Sequence, residues 1–213
     1  MSPDTPPPDA SRVREITDAR TLRAVAHPVR IAIIEEMLLG GAMTATQIGE
    51  QIGESPTTCS FHLRQLAKYG FVEEAGGGRG RARPWRLTAV GMSYGSGTKD
   101  PEFDIAATAL TRLVRERQLA RYQNWLATRS SHPARWQEVG QDSQYLLYLT
   151  ADELEELSGQ VNDLLLPRML DRLTNPASRP AGCAPVEMLV LAYPVTMPPD
   201  TGPPDTGSPE AGA

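Results

Sequence analysis

Two cysteines and three histidines are all that this 213-residue chain offers for thiol or imidazole chemistry. Cys59 and Cys183 have no close neighbour in sequence, so a disulfide framework is not expected and a reducing compartment fits. Three scattered histidines give no basis for a set of nucleophile, histidine and carboxylate, and no glycine-rich phosphate loop stands between a strand and a helix. The reading is therefore not an enzyme and needs no cofactor. No apolar run approaches the length of a membrane span. The opening MSPDTPPPDAS lacks the basic start and apolar run of a signal peptide, so a soluble, cytoplasmic protein is expected. Net positive charge is lacking too, at −5 overall, so bulk charge does not point to nucleic acid.

The distribution of charge is more informative. Between Ser55 and Lys99 the basic residues are Arg64, Lys68, Arg79, Arg81, Arg83, Arg86 and Lys99, against only Glu73 and Glu74. The acid excess lies elsewhere, as in Asp152, Glu153, Glu155 and Glu156. A basic module within an acidic chain can still bind phosphate, because charge beyond about 10 Å is largely screened at cellular salt.

The pattern predicts a mainly α protein with a small β component, in four stretches. Residues 1–12 are proline-rich and polar and are expected to be disordered, as is the tail 197–213, where PPDTG occurs twice. Residues 13–98 form the first ordered module. Thr17 or Asp18 caps a helix carrying Leu22, Val25 and Ala26. Pro28 opens a second, with Val29, Ile33 and Met37 inward and Gly40-Gly41 at its end. Thr44 or Thr46 caps a short third helix that buries Ile48 and Ile52 and breaks at Gly53. Ser55-Pro56 opens the fourth, which runs to about Tyr69 and ends at Gly70. A strand from Phe71-Val72, the glycine-rich tip GGGRG and a return strand around Trp85 and Leu87 complete the module.

Residues 99–196 are read as a helical dimerisation and effector region. A long helix is predicted from about Pro101 to Thr128, with Leu110, Val114, Tyr122 and Trp125 or Leu126 on one side. Beyond it a strand-helix-strand unit is expected. Tyr145 to Leu149 reads as a buried strand, Thr150-Ala-Asp-Glu153 as a capping box, and Val186 to Tyr193 as the last strand. Pro167 is expected to kink or end the helix between them.

At helical spacing, Cys59, Leu63 and Leu66 share one stripe, and Thr57, Ser60, Phe61, Arg64 and Lys68 the opposite one. Small hydroxyls near a helix N-terminus allow close approach to a DNA groove, and the basic residues can meet phosphate or guanine. Taken alone, this helix could equally be amphipathic with a solvated face. The preceding helix and turn and the following hairpin favour DNA. Arg79, Arg81 and Arg83 alternate, so on a strand they point to one face, suited to an anion opposite; the bland alternative is an edge strand guarded by charge. The candidate DNA contacts are Thr46, Gln47, Ser55, Thr57, Thr58, Ser60, Phe61, His62, Arg64, Lys68, Arg79, Arg81 and Arg83.

The segments LRAVAHPVRIAIIEEM, TATQIGEQIGESPTTCSFHLRQLAKYGFVEE and WRLTAVG resemble the ArsR-type winged helix-turn-helix regulators. Ser55, Thr58, Ser60, His62, Leu63, Leu66, Gly70 and Val72 carry the recognition-helix pattern, and the likeness covers roughly residues 17–94. It implies a homodimeric transcription factor, usually a repressor released by an effector. It assigns base contacts to Thr57, Ser60 and Phe61, although a polar residue is common in the family where Phe61 stands. The thiolate pair and the Asp/His pairs of the metal-sensing members have no counterpart, so a non-metal effector is expected. Cys59 and His62, three apart on one helix, are the residual zinc candidates, but Cys59 belongs to the core stripe and His62 to the family pattern. His27 reads as a capping or packing residue.

A small-molecule effector pocket would draw on Trp125, Trp136, Tyr145 and Tyr148. A dimerisation and packing layer is the alternative for the same region. The function reading is a dimeric regulator on an inverted-repeat operator in double-stranded DNA. Its rivals are a protein-binding winged helix and a metal-responsive repressor.

Overall fold

The computed structural model describes residues 13–76, 83–95 and 100–197. The two tails and most of the glycine tip, with Arg79 and Arg81, lie outside the described residues. In chain order the elements are β1 (Val13–Glu15), α1 (Ala19–Val25), α2 (Pro28–Gly40), α3 (Ala45–Ile52), α4 (Pro56–Lys68), β2 (Val72–Glu74), β3 (Trp85–Leu87), β4 (Gly91–Ser93), α5 (Pro101–Thr128), α6 (Ala134–Val139) and α7 (Ala151–Thr174).

The helix starts follow from side chains that satisfy free backbone donors. The carboxylate of Asp18, rather than the hydroxyl of Thr17, accepts from Thr21 N at 2.8 Å. His27 caps α2 through Nδ1, which accepts from Val29 N at 3.2 Å, with Pro28 in the first turn. Thr44, not Thr46, caps α3 in a reciprocal box with Gln47. Thr150 and Glu153 form the same box on α7. Pro167 lies inside α7 and does not end it.

One hydrophobic core joins α1 to α4, the hairpin and the start of α5. Leu22, Val25, Ile33, Ile48, Cys59, Leu63, Leu66 and Leu110 are fully buried in it. The pairing β2–β3 is antiparallel, with Glu73 opposite Arg86, and Trp85 also bridges to Met43. Two three-residue strands escape the sequence reading. β1 pairs in parallel with β4, Arg14 opposite Met92, and so fastens the chain before α1 to the segment leaving the hairpin. Strands this short carry no periodicity that a sequence pattern can register.

The C-terminal region departs from expectation. Residues 141–150 and 183–194 form no strand, and both predicted strands are exposed: Tyr148 stands 98% exposed and Tyr193 71%. A strand needs a neighbour for its backbone groups, and among the described residues none is paired beside either run. Among the described residues none after Leu110 is buried. Helix α5 thus begins in the core with Phe103, Ala106, Ala107 and Leu110 and continues outward. Its middle is held by Glu35 of α2, which takes Arg117 at 2.6 Å and Arg121 at 2.8 Å.

Candidate nucleic-acid interface

The turn between α3 and α4 sets the geometry of the site. Gly53 ends α3 in the left-handed region, at φ 73°, where a side chain is strained. Gly49, one turn earlier, lies so near the returning chain that a Cβ would stand 2.5 Å from the Glu54 carbonyl oxygen. Glu54 N closes the turn by donating to Gly49 O at 3.0 Å. Ser55 then caps α4, accepting from Thr58 N at 3.0 Å, and the two hydroxyls lie 2.8 Å apart. Ser55 and Thr58 are thereby engaged with the cap, which leaves Thr57 and Ser60 as the uncommitted hydroxyls of the first turns.

Helix α4 separates its residues as its spacing predicts. Cys59, Leu63 and Leu66 are fully buried, while Thr57, Phe61, Arg64 and Lys68 are exposed and Ser60 is half-buried. Phe61 is 53% exposed, with its ring edge-on to that of His62 at 5.2 Å. Arg64 forms no ion pair among the described residues, so its charge is available to an anion. The Lys68 ammonium stands 5.9 Å from the centre of the Tyr69 ring. Thr46 is exposed on the first turn of α3; neighbouring Gln47 is exposed too, with its Oε1 held by the cap.

His62 is a correction. It is not on the outer face but buried, with its ring 4.5 Å from that of His27. Its Nδ1 has no hydrogen-bond partner, and nor does Nε of nearby Arg30, whose Nη1 donates to Ala24 O. Burial, then the neighbouring His27 and Arg30, hold the His62 imidazole below its ordinary pKa. Burial followed by Arg30 does the same to His27, whose caps and packing roles are both realised. Burial first, and Glu54 second, pushes the Cys59 thiol up. Among the described residues no cluster of three or more His, Cys, Asp or Glu could hold a metal ion.

At the foot of the hairpin the charges are partly matched. Arg83 meets Glu74 at 2.8 Å and Arg86 meets Glu73 at 2.8 Å. Exposed pairs of this kind contribute little stability and exchange partners readily, so Arg83 can turn to a phosphate. Arg14 is a residue that sequence reasoning missed. It donates to the Tyr69 carbonyl at 2.7 Å and covers the Phe71 ring at 4.5 Å, placing a cation at the C-terminal end of α4. Its partner is 55 residues away and no local pattern reveals it.

Of the four residues named for an effector pocket, Trp125 and Trp136 both border Gly140. Trp125 stacks on His132 at 4.7 Å and closes on Gly140, and Trp136 is half-buried on α6. Tyr145 and Tyr148 are exposed. A shallow groove runs instead along the outer face of α5, past Ile105, Ala109 and Arg112.

A family model described as a helix-turn-helix domain matches residues 25–75. That span runs from the end of α1 through α4 and into the hairpin, and it supports a DNA-binding regulator of transcription. No curated protein matches the chain. Among the described residues no helix is long and apolar enough to cross a membrane.

Proposed function

We propose that the protein is a sequence-specific regulator that binds double-stranded DNA as a homodimer, with α4 lying in the major groove. The carrying observation is the two-sided character of α4: its apolar side chains are fully buried while Thr57, Phe61, Arg64 and Lys68 face outward. Thr57 and Ser60 would meet base edges, Phe61 a thymine methyl, and Arg64 and Lys68 phosphate or guanine. The hairpin, with Arg83 at its foot and Arg79 and Arg81 beyond, would reach the backbone or the neighbouring minor groove. A twofold pair of such helices about 34 Å apart reads an inverted repeat. The resemblance to ArsR-type regulators supports a repressor released by a non-metal effector.

Selection of binding sites from random duplex DNA, with and without a chelator, tests this. An enriched inverted repeat that survives chelation is the expected result. Enrichment that changes with chelation supports a metal-responsive repressor, and Cys59, His62 and His132 would be substituted first. No enrichment at moderate salt, with or without chelator, supports a protein-binding winged helix.

A further inference from the structure

We propose that residues 141–197 form an interface with a second copy of this chain, in which the extended runs 145–149 and 186–193 become strands of a sheet shared by the two copies. The inference rests on the homodimer reading and names the surface that makes the dimer.

Apart from Glu187, each run is apolar on both faces, the composition of a strand covered on both sides. Tyr145 and Tyr148 are 80% and 98% exposed, and Val186 and Tyr193 are 66% and 71%. Among the described residues neither run makes a backbone hydrogen bond to another segment. Free backbone groups flanked by apolar side chains are a template for strand pairing, and a chain that left them open would aggregate. All five residues of the first run and six large apolar residues of the second stand exposed, and a standard stable interface covers about 800 Å² per partner.

Charge selects the occupant. Helix α7 carries Asp152, Glu153, Glu155, Glu156 and Asp163 before its first basic residue, Arg168. From 111 to its end at Thr128, α5 carries four arginines against the single acid Glu116; Arg112 pairs with Glu116 and Arg117 and Arg121 with Glu35, which leaves Arg115 without an ion pair among the described residues. Yet α7 makes no extended contact with α5 of its own chain. One ion pair already marks the approach: Arg121 of α5 holds Glu187, within the second run, at 2.6 Å. An acidic α7 laid on the net-positive α5 of a twofold-related copy brings opposite charge together twice, and such an exchange closes on itself.

Sedimentation equilibrium of the full chain without DNA tests the proposal, using Leu147→Asp and Val190→Asp separately. The expected result is a dimer whose dissociation constant rises about 100-fold or more in each variant, with the thermal transition of the first module retained. In case a variant fails to fold, hydrogen exchange on the unaltered chain gives a second readout. The amides of 145–149 and 186–193 should be protected at high concentration and lose protection on dilution. A dimer indifferent to both substitutions places the contact elsewhere, as on the α5 groove at Ile105, and overturns the proposal. So does a monomer at all concentrations, or protection independent of concentration. The DNA reading is judged separately. A monomeric variant that still binds one half-site leaves that reading standing, whereas an intact dimer that selects no DNA sinks it and leaves the interface.

Discussion

The rings of His27 and His62 lie 4.5 Å apart, one capping α2 and the other on the inner side of α4. The pair joins the start of one helix to the middle of the helix proposed to read DNA. Arg30 and Glu54 complete the charged surroundings, and Cys59 lies in the core on the same helix as His62.

Acid should weaken the fold through this pair. Both histidines have folded-state pKa values below the ordinary value of about 6.5. The unfolded chain therefore binds more protons below about pH 6.5, so stability falls as pH drops from there toward the folded values. Below those values this contribution levels off. Urea midpoints measured between pH 7.5 and 5 should decline. His27→Asn, which keeps a capping oxygen and removes one titrating ring, should flatten the decline. An unchanged slope in that variant would refute the role of the pair.

Gly49→Ala should destabilise the first module by about 1–3 kcal/mol. Alanine normally gains about 1 kcal/mol over glycine inside a helix. Here the added carbon would meet the Glu54 carbonyl at 2.5 Å, and that oxygen belongs to backbone in the turn. Chemical denaturation decides the sign. A stabilised variant would mean that the turn yields without cost.

Arg64→Ala should weaken binding to all duplexes alike and lower the salt slope by about one unit if the side chain neutralises one phosphate. Thr57→Ala and Ser60→Ala should instead alter the preference among sequences. Titrations at several salt concentrations on the selected site and a scrambled one separate the two kinds of change. Equal effects from all three substitutions would contradict the assignment.

Glu35→Gln should cost about 1–2 kcal/mol, because it weakens the shared acceptor of two arginines in a partly buried setting. Glu35 is 20% exposed, and Arg117 and Arg121 lie 2.6 and 2.8 Å from it. Glu36→Gln, with no ion pair among the described residues, is the comparison and should leave the urea midpoint in place.

The helices of the first module were legible because each announces itself locally. Pro28 and Ser55-Pro56 mark starts there, as Thr150 with Glu153 does for α7, and Cys59, Leu63 and Leu66 mark a buried stripe that the structure buries. What escaped depends on distance in sequence. β1 finds its partner at Gly91 and Arg14 finds the Tyr69 carbonyl, and neither contact leaves a periodic trace. His62 is a candidate contact through the family pattern alone, and its position on the helix beside Leu63 buries it. The runs 145–149 and 186–193 have the composition of strands, but composition does not supply the neighbour a strand needs, and neither run is a strand in the structure.

Helix α5 has a mechanical consequence. It is one rod of 28 residues, about 42 Å long at 1.5 Å per residue. Its base is gripped at Phe103 to Leu110 and its middle is bolted to α2 through Glu35. Some 18 residues, about 27 Å, follow Leu110, the last buried side chain, with the Glu35 contact part-way along them. A tilt of about 5° at the base carries the far end through roughly 2–3 Å, given that length. The same lever works in reverse, so a load applied near Trp125 arrives at Glu35 as torque on α2, whose first residue follows the ring that touches His62.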